Sequence, residues 1–123
     1  MRHGNATVGR LGEEAVAAWY GARGFQVLAT NWRCSSGELD LVLLSPAGDT
    51  VVFCEVKTRT SSRYGSPVEA VTGAKQRRLR VLAGRFMAEA RPPGLVARSI
   101  RLDVAAVRGG PGGAPVVEVV EGV

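Results

Sequence analysis

From Val8 onward, Val8, Leu11, Ala15, Ala18, Trp19 and Ala22 recur at helical spacing, and Gly24 follows as a stop. The pattern predicts a first helix from about Ala6 to Arg23, capped by Asn5 or Thr7, with residues 1–5 as a frayed end. Phe25 to Asn31 reads as a strand and Trp32 to Ser36 as a loop. Two apolar runs follow, Gly37 to Leu44 and Val51 to Lys57, around the four-residue turn Pro46-Ala47-Gly48-Asp49. Both runs are apolar on each face over much of their length, which predicts central, covered strands. Thr58 to Gly65 is a polar, basic loop. Ser66-Pro67-Val68-Glu69 is a capping box with Pro at the first helical position, opening a second helix from Pro67 to about Ala90. Val71, Leu79, Leu82, Ala83, Phe86 and Met87 form its apolar side, and Arg91-Pro92-Pro93-Gly94 stops it. Ser99 to Val107 and Val116 to Val120 are two more strands, joined through a glycine-rich connection. The order α-β-β-β-α-β-β predicts one α/β domain over residues 1–123, a mixed central β-sheet flanked by helices.

The hairpin turn fixes a register. With Ser45 facing Thr50, counting outward sets Asp40 opposite Glu55 and Glu38 opposite Lys57. Opposed residues share a face with Cβ atoms about 5 Å apart, and Glu55 and Lys57 share one by strand alternation. Two opposed carboxylates repel, and a divalent cation is the obvious group to offset that repulsion.

Composition narrows the classes. With 46% hydrophobic residues the chain is not disordered, and no apolar run approaches the roughly 20 residues of a membrane span. The N-terminal stretch has no signal-like apolar region, so a cytoplasmic protein is expected. Cys34 and Cys54 form no CxxC pair, which argues against zinc, and Cys54 reads as a core thiol. The formal charge is +5 and the isoelectric point about 10.0, compatible with a polyanionic partner or with a solvated basic surface. Only Lys57 and Lys75 among the 16 basic residues are lysines, so the ammonium beside Glu55 stands out in an Arg-rich chain.

Asp40 followed by Glu55-x-Lys57 has the acid, acid-x-Lys form of metal-dependent nucleases. Mg²⁺ takes oxygen ligands, and one or two carboxylates plus substrate phosphates suffice to hold it. It polarises the phosphate and helps generate hydroxide, while a nearby Lys positions that water or stabilises transition-state charge. The competing reading is an ionic cluster at a strand end, with Glu38 and Lys57 as a plain cross-strand pair.

Longer blocks bear on that choice. Gly12-Glu13, Asn31-Trp32-Arg33, Gly37-Glu38-Leu39-Asp40-Leu41, Phe53-Cys54-Glu55-Val56-Lys57-Thr58-Arg59, Tyr64-Gly65-Ser66-Pro67, Lys75 and Arg101-Leu102-Asp103-Val104 resemble, in order, the YraN family of predicted endonucleases. That family is similar to archaeal Holliday-junction resolvases and restriction endonucleases. The resemblance implies a restriction-endonuclease-like core and a Mg²⁺ or Mn²⁺ site. It makes Asp40 and Glu55 metal ligands, adds the Val56 carbonyl, and casts Lys57 as catalytic base. Glu13 corresponds to the helix-one glutamate that completes such sites. The helical stripe above instead sets Glu14 at its flank and Glu13 opposite its centre, whereas distance to Gly24 favours Glu13. Leu39 departs from the broader pattern, in which many members have Pro.

Arg59, Arg63, Lys75 and Arg78 are candidates for tracking phosphates, and Tyr64 for stacking on a base or sugar or, equally, for stapling its loop to the core. Arg77, Arg80 and Arg85 read as a solvated helix face. Trp32 is a candidate for an exposed substrate contact, and Arg101 with Asp103 for a structural pair. The expected function is a divalent-metal-dependent endonuclease acting on DNA, more than RNA, with branched or structured substrates brought in by the likeness to resolvases. Resolvases act as dimers, which brings in a homodimer through the final strand or helix one. The alternatives are a catalytically silent nucleic-acid-binding module of the same fold, and an interaction protein whose acidic site holds a structural ion.

Overall fold

The computed structural model describes residues 3–59, 72–109 and 111–123. Among the described residues two α-helices and five strands follow one another: α1 (His3–Gly21), β1 (Gln26–Cys34), β2 (Gly37–Leu44), β3 (Thr50–Arg59), α2 (Gly73–Glu89), β4 (Ser99–Gly109) and β5 (Pro115–Val120). The strands form one mixed sheet in the order β1-β2-β3-β4-β5. Its pairs are antiparallel except β3 with β4. Parallel neighbours need a crossover connection, and α2 lies in it.

Alternation along β2 and β3 builds two cores. Val42, Val51 and Phe53 pack with Leu102 against Leu79, Leu82, Ala83 and Phe86 of α2. Leu41, Leu43, Val52 and Cys54 pack with Ala105 and Val107 against Val16 and Tyr20 of α1. The central strands are therefore covered on both faces, as their continuous apolar runs predict. Asp103 is the one fully buried charge among the described residues, and four donors surround it. It accepts from Tyr20 Oη at 2.5 Å, Arg101 Nε and Nη2 each at 2.9 Å, and Gly122 N at 3.1 Å. That bracing matches the structural role expected of the Arg101–Asp103 pair and ties α1 and the C-terminal tail to β4.

Several boundaries differ from the sequence expectation. α1 begins at His3, so Asn5 and Thr7 lie inside it. Its buried line is Gly12, Val16 and Tyr20, whereas Leu11 is 59% exposed. The small Gly12 does not register as apolar, which turned the expected stripe off its true face. Gly12 lets α1 lie close to β3, since a Cβ there would sit 2.2 Å from Thr58 Oγ1. β1 continues through Trp32 to Cys34, because Trp32, Arg33 and Cys34 pair with Leu39, Glu38 and Gly37. Trp32 is no exposed platform: its ring meets Phe86 edge-on at 5.4 Å. At α2, Thr72 is extended and caps the helix through its hydroxyl, accepting from Lys75 N, so the helix does not run on unbroken from Pro67. The Ser66–Glu69 capping box and Val71 lie outside the described residues.

Candidate functional site

The hairpin register is the one the turn implies: Ser45 N donates to Thr50 O at 2.9 Å, and the ladder runs from Leu44↔Val51 to Leu41↔Cys54. There the two strands part. β2 goes on pairing with β1 as far as Gly37↔Cys34, and β3 goes on with β4 as far as Arg59↔Arg108. The sheet forks one residue before Asp40 and Glu55 would pair.

β2 also changes phase here. Leu41 and Leu43 face α1, but Leu39 packs with the α2 core, so the period-two alternation slips across Asp40. On β1, Thr30 pairs with Leu41 and Trp32 with Leu39, which sets Asn31 across from Asp40. Asn31 is the one non-glycine described residue with positive φ, at 51°.

Asp40 turns its carboxylate into the fork and accepts the Val56 N–H at 2.8 Å. The Asp40 carboxyl is pushed up to about 7, mainly by burial. Negative charge on Glu55 and Glu13, and a hydrogen bond with Glu55, push the same way, while the Val56 N–H opposes them. Asp40 and Glu55 thus line one cavity and interact electrostatically, and Glu13 on α1 lies within electrostatic reach of Asp40. Glu55 is 8% exposed. Lys57 Nζ stands 3.2 Å from Glu55 Oε2. Glu38 pairs with Arg33 Nε at 3.2 Å, so the expected Glu38–Lys57 cross-strand pair does not form. The fork leaves no ladder to bring those two together.

A cavity of about 350 Å³ opens over this cluster, lined by Asp40, Glu55, Val56 and Lys57, by Gly37 and Glu38 of β2, and by Arg78 of α2. Arg78 thus joins the site from a different layer. Arg59 ends β3, and Lys75 opens α2 beside its cap. Arg63 and Tyr64 lie outside the described residues. Glu14 is exposed, whereas Glu13 flanks the Gly12–Val16–Tyr20 line and accepts from Asn31 Nδ2 at 2.9 Å. Arg85, read from sequence as a solvated residue, instead ties the β1–β2 turn. It donates to Ser35 Oγ at 3.1 Å and Ser36 Oγ at 2.9 Å, and pairs with Glu89. Its i,i+4 relation to Glu89 was visible in sequence; its reach to a turn fifty residues away was not.

Among the described residues, no three or more His, Cys, Asp or Glu side chains gather into a set able to hold a metal ion by themselves. Asp40 and Glu55 are a two-carboxylate set, which is the number Mg²⁺ commonly takes from a protein that leaves its other positions to water and phosphate. A mutually repelling, largely buried acidic pair in an open cavity fits a hard divalent cation.

Fold and fork together define a mixed α/β domain that carries a part-buried acidic pair and a lysine where its strands β2 and β3 separate. The family model described as "Uncharacterised protein family UPF0102" matches residues 12–107. A UPF0102 protein of Mycolicibacterium gilvum (strain PYR-GCK) is 48% identical over 118 residues, covering 96% of this chain and 94% of its own. One of Beutenbergia cavernae is 47% identical over 116 residues, 94% of each. The chain belongs to the UPF0102, or YraN-like, family. No described helix is long and apolar enough to cross a membrane.

Proposed function

We propose that this protein is a divalent-metal-dependent phosphodiesterase with a restriction-endonuclease-like core, cutting DNA at the fork between β2 and β3. The observation that carries the reading is that the carboxylates of Asp40 and Glu55 line one cavity together with Lys57, whose Nζ stands 3.2 Å from Glu55 Oε2. An acidic pair left in repulsion destabilises the fold; that cost is intelligible where a cation is to be held.

In this reading Asp40 and Glu55, with the Val56 carbonyl, hold Mg²⁺ or Mn²⁺, which supplies Lewis-acid polarisation of a phosphate and lowers the pKa of water. The Val56 N–H fixes the Asp40 carboxylate within the fork. Lys57 is paired with Glu55 as an ammonium, which has no lone pair with which to accept a proton. Its first role is therefore to neutralise charge developing on the phosphate; service as a base would require it first to give up a proton to solvent. Arg78 on the cavity rim, with Lys75 and Arg59 nearby in sequence, supports a phosphate-binding surface, as does the net charge of +5. A homodimer accompanies the reading by analogy with resolvases, and a cytoplasmic setting is carried over from the N-terminal sequence pattern.

The test is cleavage by purified protein with Mg²⁺ or Mn²⁺ on single-stranded, duplex, flap and four-way-junction DNA and on RNA, beside Glu55→Ala and Lys57→Ala. Metal-dependent cutting lost in both variants supports the reading. Cutting that survives both is a contaminant's and overturns it. Salt-dependent binding without cutting by any form replaces it with the silent nucleic-acid-binding module.

A further inference from the structure

Asn31 is an exposed residue inside a strand, yet its backbone is left-handed, with φ 51°. Asn tolerates that region better than most residues, but a strand gains nothing from it locally. The bend lies across from Asp40 in the β1–β2 register and coincides with the phase slip in β2. It carries the side-chain amide out of the sheet to α1, where Nδ2 donates to Glu13 Oε1 at 2.9 Å. Gly12, next to Glu13, lets the same helix lie close to Thr58 of β3. Asn31 and Glu13 both line a second cavity, of about 380 Å³, which also includes Glu38 and so adjoins the first.

We infer that Asn31 is a positioning residue of the acidic site: its left-handed turn aims an amide that holds the Glu13 carboxylate toward Asp40 and Glu55. The inference rests on the metal-site reading above. A carboxylate on an exposed helix face samples several rotamers, and one charge-assisted hydrogen bond confines it. Partners of this outer kind change metal affinity by roughly 10–100-fold when removed.

Glycine separates the amide from the backbone bend. Asn31→Gly keeps the left-handed conformation and deletes the donor, whereas Asn31→Asp keeps the shape and replaces the donor with a negative charge. Binding of Mn²⁺ alone is read by electron paramagnetic resonance, with thermal melts alongside. Asn31→Gly is expected to weaken Mn²⁺ binding about tenfold with little change in metal-free melting temperature. In a Glu13→Ala background the same substitution should change nothing further. Unaltered affinity in Asn31→Gly, or an undiminished effect without Glu13, overturns the inference alone. Wild-type protein that takes up no Mn²⁺ overturns it together with the metal-site reading.

Discussion

The carboxylate of Asp40 accepts the N–H of Val56 at 2.8 Å, bridging the gap where β2 and β3 cease to pair. A side chain thereby stands where a backbone acceptor would continue the ladder. The bond bridges the break and fixes the Asp40 carboxylate in the cavity that Glu55 also lines, so the candidate site sits in the break itself.

Asp40 should oppose folding at neutral pH. Its carboxyl ionises near 3.8 in the unfolded chain and near 7 in the folded protein. Between those values the folded state holds the extra proton, so stability falls as pH rises from about 4 to about 7, by at most roughly 4 kcal/mol. Asp40→Asn keeps an acceptor for Val56 N–H and removes the repulsion. Urea melts at pH 5 and 7.5 should show the wild type losing stability and the variant nearly level, the variant being the more stable at pH 7.5.

Divalent ions should restore what that repulsion takes away. At pH 7.5, Mn²⁺ at 100 times its dissociation constant should add about 2.7 kcal/mol to wild-type stability. Asp40→Asn and Glu55→Gln should gain far less. Calorimetric scans with Mn²⁺ and with chelator make the comparison.

Asp103 should behave in the opposite way. It is fully buried, with every donor around it satisfied by design of the fold rather than by a ligand. Asp103→Ala leaves the buried Tyr20 hydroxyl without this acceptor, while Arg101 keeps Glu121 as a partner, and should cost about 1–3 kcal/mol. Urea midpoints would record the loss, with or without metal.

The approach of α1 to β3 gives a paired prediction. Gly12→Ala brings a Cβ to 2.2 Å from Thr58 Oγ1, but that Cβ stays 3.5 Å from the Thr58 Cβ. The single substitution should cost about 1–3 kcal/mol by overpacking, and Thr58→Ala added to it should recover most of that. A double-mutant cycle of melting curves detects the coupling.

The hairpin was legible because a four-residue turn between apolar runs leaves one register in which Ser45 meets Thr50. Asp40, Glu55 and Lys57 could be grouped from it, since strand period and turn length are local. What happens beyond Leu41 was not legible: the fork depends on β1 and β4 each claiming one strand, which is tertiary competition. Hence Glu38 was matched with Lys57, although it pairs with Arg33. α1 was mis-phased because its central contact is a glycine, invisible to an apolar count but decisive in close packing. Correcting that phase sets Glu13, not Glu14, beside Asn31 and within reach of Asp40. Nothing near Arg85 in sequence announces the Ser35–Ser36 turn to which it donates.

A cation held between two acids is the centre of the proposed chemistry, and a crystal soaked in Mn²⁺ at neutral pH tests it without reference to turnover. Anomalous scattering should show one Mn²⁺ in the fork, with oxygen atoms of both Asp40 and Glu55 at about 2.1 Å. Saturating Mn²⁺ with no peak there, or a peak that touches neither carboxylate, would contradict it.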